Sequence, residues 1–550
     1  MSRSIWLNIQ QGKAWIHLEE PAELFVGVPS LNRQAESSIC EGSRSGQRAE
    51  MSSDGQVTNV DVRTIDVEGQ AIYVDQKSIN SDSQVDKVIE LRKISQASLL
   101  NRDNLVVHWQ AEASERYCLH QYAINAGVYS HKQLTLEQMK QRWQALRLNT
   151  DAELKDERLF LVQCIDLCLL CWCRVDDQLQ PLGETHIVQR DMQGLIVQQE
   201  KQELSERTLQ ALETAASRAL YALWMDVGSV LVAVSGTGKI AIRNVWSLDT
   251  GARELPLQRE VLNQALKEWL DNWKDDDKQQ MYIGADPELI VLDEQNKLVM
   301  ASELLLDYSH EEIGIDSLLY KGQILFPIVE LRPLPEAHPA YLVNRIHRLL
   351  KQLHSLIDGR KLQLRAGAMP VKGIALGGHL HISGVSLTPR LLRLLDIMLA
   401  LPFAALADER GRQRNSKFGG LGDYRKQFHG GFEYRTLPSW LVSPALTQAA
   451  IYTCWLVVQE RARLMEKLDS WNHLEYDVLR YELATREEQC TLAQTYIDLL
   501  VDISEDSGLA ERLRPLQRAL SKRGCWDEQQ DIRVRWQLSS SSMTSTPLEK

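Results

Sequence analysis

A chain of 550 residues exceeds the size of a single hydrophobic core, so we expect about two to four domains. The formal net charge of −12 excludes nucleic acid as the main partner, because a phosphate backbone attracts a basic surface. The N-terminus lacks the apolar segment of a signal peptide, and charged residues and a proline interrupt the most apolar stretch, LLRLLDIMLALPFAALADE. We therefore expect a cytoplasmic protein with no membrane partner.

The first half of the chain is predicted to combine strands and helices. Residues 1–90 contain the β-forming segments IWLNI, AWIHL, ELFVGV and QAIYVDQ. LTLEQMKQRWQALRL and ELSERTLQALETAASRALYALW have the apolar spacing of helices. The strands SVLVAV and KIAIRNV follow, joined by SGTG. This turn looks like a phosphate loop, but Ala233 and Ile240 stand where a Walker A motif needs Gly and Ser or Thr, so a hairpin is favoured.

Four of the nine cysteines cluster in CIDLCLLCWC, at Cys164, Cys168, Cys171 and Cys173. Their spacing matches no standard metal-ligand pattern, and apolar residues lie between them. Free cysteine behaves as a small buried hydrophobe. We expect reduced core thiols, with a metal site as the less favoured alternative.

A charged run, KDDDKQQ, predicts the main domain boundary near residue 277. Beyond it, HPAYLVNRIHRLLKQLHSLIDG is predicted as a helix that ends at Gly359. Regions 391–410 and 444–470 are also predicted to be helical, and the tail SSSSMTSTPLEK to be disordered. The predicted buried face of the first of these helices consists of Leu342, Ile346, Leu349, Leu353 and Leu356.

Two predicted strands in the C-terminal half carry carboxylates. In GADPELIVLD, Asp286 and Glu288 are two apart, and Pro287 between them fits the start of a strand. In ILFPIVEL, Glu330 shares a face with Ile328, and a buried charge there requires a partner or a cation. A surface pair between Glu330 and Arg332 is the alternative.

Two further strands carry histidine, glutamate and arginine. In GGHLHISG, His379 and His381 share one strand face, which suits either two solvated imidazoles or a metal or phosphate site. In FEYRTL, Glu433 and Arg435 share a face. The preceding loop, ERGRQRNSKFGGLGDYR, is basic and rich in glycine, which suits an anionic ligand such as polyphosphate. Carboxylates with imidazoles predict magnesium or manganese, and arginines beside them predict phosphoryl transfer.

The series GADPE, IVELRP, GGHLH and GFEYRTLPSW resembles the phage-type carboxylate-amine ligases (amidoligases) of the glutamine synthetase and glutamate-cysteine ligase superfamily. This resemblance covers about residues 281 to 460. It implies an α+β fold in the C-terminal half, with a curved antiparallel sheet that carries the ligands and helices on one face. The chain departs from the family in the basic loop, at Phe418 and Gly419, where "YG" is usual. It also departs after the first long loop, at Asp316 and Ser317, where "DG" is usual, but neither departure removes a ligand.

The resemblance also implies roles for individual residues. The implied metal ligands, for Mg²⁺ or Mn²⁺, are Asp286, Glu288, Glu330, His379 and Glu433. Arg332, His381 and Arg435 are the implied nucleotide contacts, with His381 near the ATP phosphates. Arg435, Arg425 and Arg414 are the implied catalytic cations. The implied function is an ATP-dependent ligase that joins a small-molecule or peptide carboxylate to an amine through an acyl phosphate.

The N-terminal half resembles an ATP-grasp domain more faintly. Asp226, Gly228 and Asn244 match its metal-site pattern, whereas Ile242 stands where an acid belongs, which predicts a degenerate α/β domain without ATPase activity of its own. An unrelated α+β domain is the alternative. The predicted regions are a β-rich 1–90, an α/β domain 91–275, a catalytic domain 276–475, a helical extension 476–537 and a disordered tail 538–550.

Two other functions remain open at this point. The same superfamily scaffold can stop after phosphoryl transfer, which would make the protein a phosphotransferase acting on a guanidino or carboxylate group. A non-catalytic nucleotide-binding scaffold protein that acts through the N-terminal half is the other alternative. The sequence specifies neither the two substrates nor an oligomeric state.

Overall fold

The structure is a computed structural model. It describes six short strands before residue 125, and then residues 134–246 and 280–538. Within these two ranges the description leaves out residues 152–153, 191–195, 198–203, 306–310, 321, 412–418, 428–429, 470–483 and 505. The chain divides into two compact units, one mainly of residues 1–271 and one mainly of residues 272–550. The region boundaries given above stay predictions. Residue 277 and the SSSSMTSTPLEK tail lie outside the described residues.

The first unit begins with β-structure, as predicted for IWLNI, AWIHL and QAIYVDQ, whereas ELFVGV lies outside the described residues. The strands are β1 (Ile5–Ile9), β2 (Ala14–Leu18), β3 (Val62–Ile65), β4 (Ala71–Val74), β5 (Leu105–Trp109) and β6 (Gln121–Ile124). One sheet has the order β2-β1-β5-β6, in which β1 runs parallel to β5, and β3 pairs with β4.

A five-stranded antiparallel sheet with two helices follows in the same unit. Its order is β13-β12-β7-β8-β9. Thr135 and Gln138 form a capping box at the start of the first helix, and Ser205 caps the second, so both predicted helices are confirmed. The predicted hairpin is β12–β13. The elements are α1 (Leu136–Ala145), β7 (Arg158–Ile165), β8 (Cys168–Val175), β9 (His186–Ile187), β10 (Gln189–Arg190), β11 (Ile196–Val197), α2 (Glu206–Ala222), β12 (Val227–Val234) and β13 (Ile240–Trp246).

The cysteine cluster lies on the β7–β8 hairpin. Cys164, Cys171 and Cys173 are buried free thiols, as predicted, and Cys168 is half-buried. Burial raises the pKa of Cys171 to about 12 and the pKa of Cys173 to about 11. Because the thiolate is the form that ligates metal, these thiols are poor ligands. The absence of a metal stays a prediction.

Elemental analysis of the full-length protein is expected to find no stoichiometric zinc or iron, since protonated buried thiols do not compete for these metals. The double variant Cys168→Ser and Cys171→Ser should have the same metal content as the wild type. Cys454→Ser, which removes a buried thiol from the second unit, is the matched control. Stoichiometric metal that is lost only in the double variant would contradict the prediction.

The residues that resemble an ATP-grasp site have structural explanations of their own. Ile242 is 1% exposed and belongs to the core, so it supplies no ligand. A Cβ at Gly228 would lie 2.7 Å from a Leu220 methyl and 2.8 Å from the Trp246 carbonyl oxygen, so packing alone requires this glycine. Asn244 accepts a hydrogen bond from the Val245 amide through its own side chain. The degenerate ATP-grasp assignment stays a prediction.

The second unit contains a curled, antiparallel sheet of eight strands, and the predicted α+β class is confirmed. Six strands follow the order β16-β17-β14-β19-β21-β20, and β15 and β18 also pair with β14. The strands are β14 (Tyr282–Leu292), β15 (Leu298–Val299), β16 (Ile313–Tyr320), β17 (Gln323–Leu331), β18 (Gln363–Arg365), β19 (Gly378–Ser383), β20 (Tyr424–Lys426) and β21 (Phe432–Tyr434).

Helices cover the apolar side of this sheet, where α4 contacts β14 and α7 contacts α4. The three predicted helical regions are confirmed. The helices are α3 (Ala301–Leu304), α4 (Pro339–Ile357), α5 (Pro389–Leu395), α6 (Leu401–Leu406), α7 (Pro444–Gln459), α8 (Arg461–Asp469), α9 (Arg486–Ile503), α10 (Ser507–Glu511), α11 (Arg514–Ser521) and α12 (Ile532–Trp536). A π-helical segment, Asp396–Ala400, joins α5 to α6. None of the described helices combines the length and the apolar character needed to cross a membrane.

Two details of the sequence-based prediction are wrong. Leu356 is only half-buried, and Leu350 and Ile357 occupy the buried face of α4 instead. Pro287 lies in the middle of β14 and not at its start. The proline is tolerated because β14 changes partners there: residues 282–287 pair with β19, and residues 288–290 pair with β17.

Candidate active site

The carboxylates and histidines meet on one face of the sheet because neighbouring strands hold them in register. Directly opposite residues of an antiparallel pair point to the same side. Glu288 on β14 is opposite Glu330 on β17, and Asp286 on β14 is opposite His379 on β19. The next strand continues the row.

On that strand, β21, Glu433 is opposite His381 of β19 and also opposite Arg425 of β20. The alternate residues of β19, Leu380 and Ile382, are buried on the helix side, as predicted for an alternating strand. A row of acidic and imidazole side chains therefore crosses four strands.

The central atoms of this row lie in direct contact. His379 Nδ1 is 3.3 Å from Asp286 Oδ1 and 3.2 Å from Glu433 Oε1. His381 Nε2 is 3.2 Å from Asp286 Oδ2. Asp286, His381 and Glu433 each offer a ligand atom, and these three atoms lie within 4.8 Å of one another. Glu433 is 1% exposed, so the cluster is shielded from solvent on the side of this glutamate.

Several of these atoms have no hydrogen-bond partner although they are buried. They are Asp286 Oδ1, His379 Nδ1, His381 Nε2 and Arg435 Nε. Buried polar atoms are normally satisfied, so convergent unsatisfied donors and acceptors need an explanation. Two carboxylates and one imidazole within one coordination radius fit a divalent cation such as Mg²⁺ or Mn²⁺.

The carboxylates and imidazoles of the cluster shift one another's pKa. Burial opposes ionisation of Asp286, but the nearby His379 and His381 outweigh it and hold the pKa of Asp286 well below its usual range. Burial would also lower the pKa of His379, but Asp286, Glu288 and Glu433 raise it.

Glu330 has the opposite behaviour. Burial, and then the negative charge of Asp286, raise the pKa of Glu330 to about 8, despite an ion pair with Arg332. Glu330 and Arg332 do form the ion pair that the alternative predicts. The pair is not a surface pair on both sides, because the Arg332 side chain is 49% exposed whereas the Glu330 side chain is 10% exposed. A divalent cation beside Glu330 would stabilise its ionised form against the charge of Asp286.

Glycines make room for the histidines. A Cβ at Gly377 would lie 2.3 Å from His379 Nε2, so only glycine allows the ring to lie there. The Gly377 amide also donates a 2.6 Å hydrogen bond to Glu288 Oε2. A Cβ at Gly284, opposite His381, would lie 3.3 Å from the His381 Cβ, so a side chain there would crowd the histidine. Gly377, the first glycine of the GGHLHISG segment, therefore makes room for the site directly.

Two arginines contact the buried glutamate. Arg425 approaches Glu433 with both ends of its guanidinium, Nη2 to Oε1 at 3.0 Å and Nε to Oε2 at 2.8 Å. Arg435 Nε lies 3.2 Å from Glu433 Oε1. The Arg425 and Arg435 side chains are 57% and 35% exposed, so each can also meet a ligand from solvent. Arg414 lies outside the described residues.

Two neighbours of the cluster escaped the sequence analysis. Gln427 Nε2 donates a 3.0 Å hydrogen bond to Glu433 Oε2. Gln427 comes two residues after Arg425, and the alternation of a strand would have placed both side chains on the same face. Asp396 lies on the helix side of the sheet. The sequence does not indicate its role, because it stands within an apolar helical stretch that is distant from the site motifs.

Comparisons with known proteins locate a family in the second unit. Residues 283–538 match the model of the family described as phage phiEco32-like COOH.NH2 ligase-type 2. No curated protein sequence matches the chain. The matched segment contains every predicted site residue of the cluster and also the region 476–537.

Two solved structures are similar to parts of the chain. A complex between the prokaryotic ubiquitin-like protein Pup and its ligase PafA gives 11% identity and a TM-score of 0.28, over 45% of this chain and 65% of that one. A novel glutamine synthase homolog gives 13% identity and a TM-score of 0.26, over 55% of this chain and 80% of that one. The chain thus spans less than two thirds of the length of the Pup ligase. At these TM-scores the likeness supports no conclusion about this chain.

The predicted resemblance and the matched family name the same group, and the match extends beyond the motifs to residue 538. The match of residues 283–538 to this family model confirms the predicted resemblance of the C-terminal half to the phage-type carboxylate-amine ligases.

Proposed function

We propose that this protein is an ATP- and Mg²⁺-dependent ligase that joins a carboxylate to an amine through an acyl phosphate. The observation that carries the proposal is the contact of Arg425 and Arg435 with Glu433, inside a cluster that also holds Asp286 and His381. Carboxylates and imidazole suit a hard cation, and arginines beside them suit a transferring phosphate.

The proposed ligand set assigns each side chain a task. Asp286, Glu288, Glu330, His379 and Glu433 would hold one or two divalent ions, which neutralise phosphate charge when bound. The atoms that converge belong to Asp286, His381 and Glu433, so His381 is a candidate metal ligand as well as a candidate contact for the ATP phosphates. Arg332 and Arg414 are proposed to contact nucleotide or substrate carboxylate.

The proposed chemistry has two steps. A carboxylate oxygen of the acid substrate attacks the γ-phosphorus of ATP, and ADP leaves as the P–O bond breaks. Arg425 and Arg435 stabilise the charge on the transferring phosphoryl group. The amine nitrogen then attacks the acyl carbon, phosphate leaves, and the nitrogen loses a proton to give the amide. Glu433 and Glu330 are buried, so little water reaches the part of the proposed site that they line.

Phosphate release from ATP tests this proposal against its alternatives. A ligase requires both an acid and an amine, a phosphotransferase requires one acceptor, and a non-catalytic scaffold protein shows neither dependence. The screen pairs amino acids and short peptides with amines, in the presence of ATP and Mg²⁺, and detects products by mass. Phosphate release that needs no amine, with a phosphorylated product, would replace the ligase proposal with the phosphotransferase.

Divalent metal is expected to stabilise the folded protein through Asp286. A ligand present at 100 times its Kd adds about 2.7 kcal/mol to the free energy of unfolding. Thermal unfolding with increasing Mn²⁺ should therefore shift upward in the wild type, and Asp286→Asn should abolish most of the shift. Asp293→Asn changes an aspartate in the turn that follows the same strand, β14, and should leave the shift intact. Equal shifts in both variants would remove Asp286 from the metal site.

A further inference from the structure

Asp396 is a buried carboxylate that contacts the strands of the site from behind. It is 1% exposed and begins the π-helical segment between α5 and α6. Tyr434 Oη donates to its Oδ1 at 2.6 Å, and the Gly422 amide donates to its Oδ2 at 2.6 Å. A carboxylate so deeply buried requires such donors. Short π-helical segments occur often at functional sites.

The donors belong to the two pieces of chain that carry the site arginines. Gly422 lies in the turn 420–423 before β20, which carries Arg425. Tyr434 lies on β21, between Glu433 and Arg435. The same turn is tied to the end of β21 by two more hydrogen bonds, from Arg435 N to Asp423 O at 3.0 Å and from the Thr436 hydroxyl to Gly420 O at 3.1 Å. One carboxylate thus joins the turn and the strand to the helix layer.

Asp396 cannot touch the substrate itself. Tyr434 is opposite Leu380 in the sheet and fully buried, so it points to the helix side, whereas Glu433 points to the site. Asp396 lies with Tyr434 on that helix side. Any effect of Asp396 on catalysis must therefore pass through the position of the turn 420–423 and of Arg425.

We propose that Asp396 is a positioning residue that fixes the turn 420–423 and thereby aims Arg425 and Arg435 at the transferring phosphoryl group. The proposal rests on the proposed function for its catalytic consequence, but its structural part does not. A displacement of about 1 Å in a catalytic constellation can cost on the order of 100-fold in rate.

The test compares three variants of the full-length protein with a control. Asp396→Ala removes both acceptors. Asp396→Asn has the same shape and can keep both contacts, since its oxygen can accept from Gly422 and its amide can donate to Tyr434 Oη. Tyr434→Phe removes one donor and retains the ring. Thr388→Ala, which loses the cap at the start of α5, perturbs the same helical stretch without touching the turn.

The readouts are kcat and KM for ATP-dependent amide formation, and hydrogen–deuterium exchange of a peptide that spans residues 420–427. We expect Asp396→Ala to lower kcat on the order of 100-fold with a change of KM for ATP under about threefold, and to raise exchange at 420–427. Asp396→Asn should recover most of both, and Tyr434→Phe should be intermediate. Thr388→Ala should keep kcat and the exchange of this peptide at the wild-type level.

The outcomes separate this proposal from the proposed function. Unchanged exchange at 420–427 in Asp396→Ala would overturn the positioning role, as would raised exchange with normal kcat. If the Ala variant fails to fold, a folded Tyr434→Phe variant with normal exchange and normal kcat would overturn it as well. If the wild-type protein releases phosphate from ATP without an amine, the ligase proposal is wrong. Hydrogen–deuterium exchange in the variants still tests whether Asp396 fixes the turn.

Discussion

Glu433→Gln is expected to reduce amide formation by about 100-fold to 1000-fold, the range found when a preorganised charge contact is removed. Glu433 is 1% exposed and accepts contacts from Arg425, Arg435 and His379. The neutral amide keeps the shape but loses the charge that holds two guanidinium groups beside an imidazole. Without that charge, both the cation and the arginines lose their common partner.

The measurement is steady-state kcat/KM at saturating Mg²⁺, together with thermal unfolding. Glu213→Gln is the matched control, because Glu213 also pairs with an arginine, Arg190, at a poorly exposed position in the first unit. It should leave turnover unchanged. If Glu433→Gln retains more than half of the wild-type turnover while folded, Glu433 is not part of the active site.

The strands that carry the site could be predicted because their side chains alternate. On β19, His379 and His381 alternate with the buried Leu380 and Ile382, and the period of two fixes their common face. What the pattern could not supply is strand order. The contact between Glu433 and His379 depends on β21 pairing with β19, although residues 384–431 separate these strands in the sequence.

The errors have separate physical reasons. Pro287 was predicted to begin a strand because proline has no amide hydrogen to donate to a neighbouring strand. It is tolerated in the middle of β14 because the strand changes partners there. Leu356 and Ile357 are adjacent, and which of them is buried depends on the rotation of α4 against the sheet. Asp396 looked like an interruption of an apolar helix, since its donors, Tyr434 and Gly422, come from distant parts of the chain.

Arg435→Lys is expected to lower kcat on the order of 100-fold, while the KM for ATP changes much less. Arg435 follows Glu433 by two residues, and its Nε lies 3.2 Å from the Glu433 carboxylate. Guanidinium offers a planar fork that grips two oxygens, whereas lysine offers a point charge. Charge spreads over the equatorial oxygens of the phosphoryl group in the transition state, so the fork matters most there.

The matched control is Arg345→Lys, since Arg345 also pairs with carboxylates, those of Glu336 and Glu312, which are not members of the cluster. There the exchange should cost under about 1 kcal/mol of stability and leave kcat unchanged, as for an ordinary ion pair near the surface. Single-turnover measurements separate the phosphoryl-transfer step from product release. A near-normal single-turnover rate in Arg435→Lys would contradict the prediction. Arg435 would then be a structural partner for a carboxylate, as Arg345 is, and Arg425 would be the arginine that contacts the phosphoryl group.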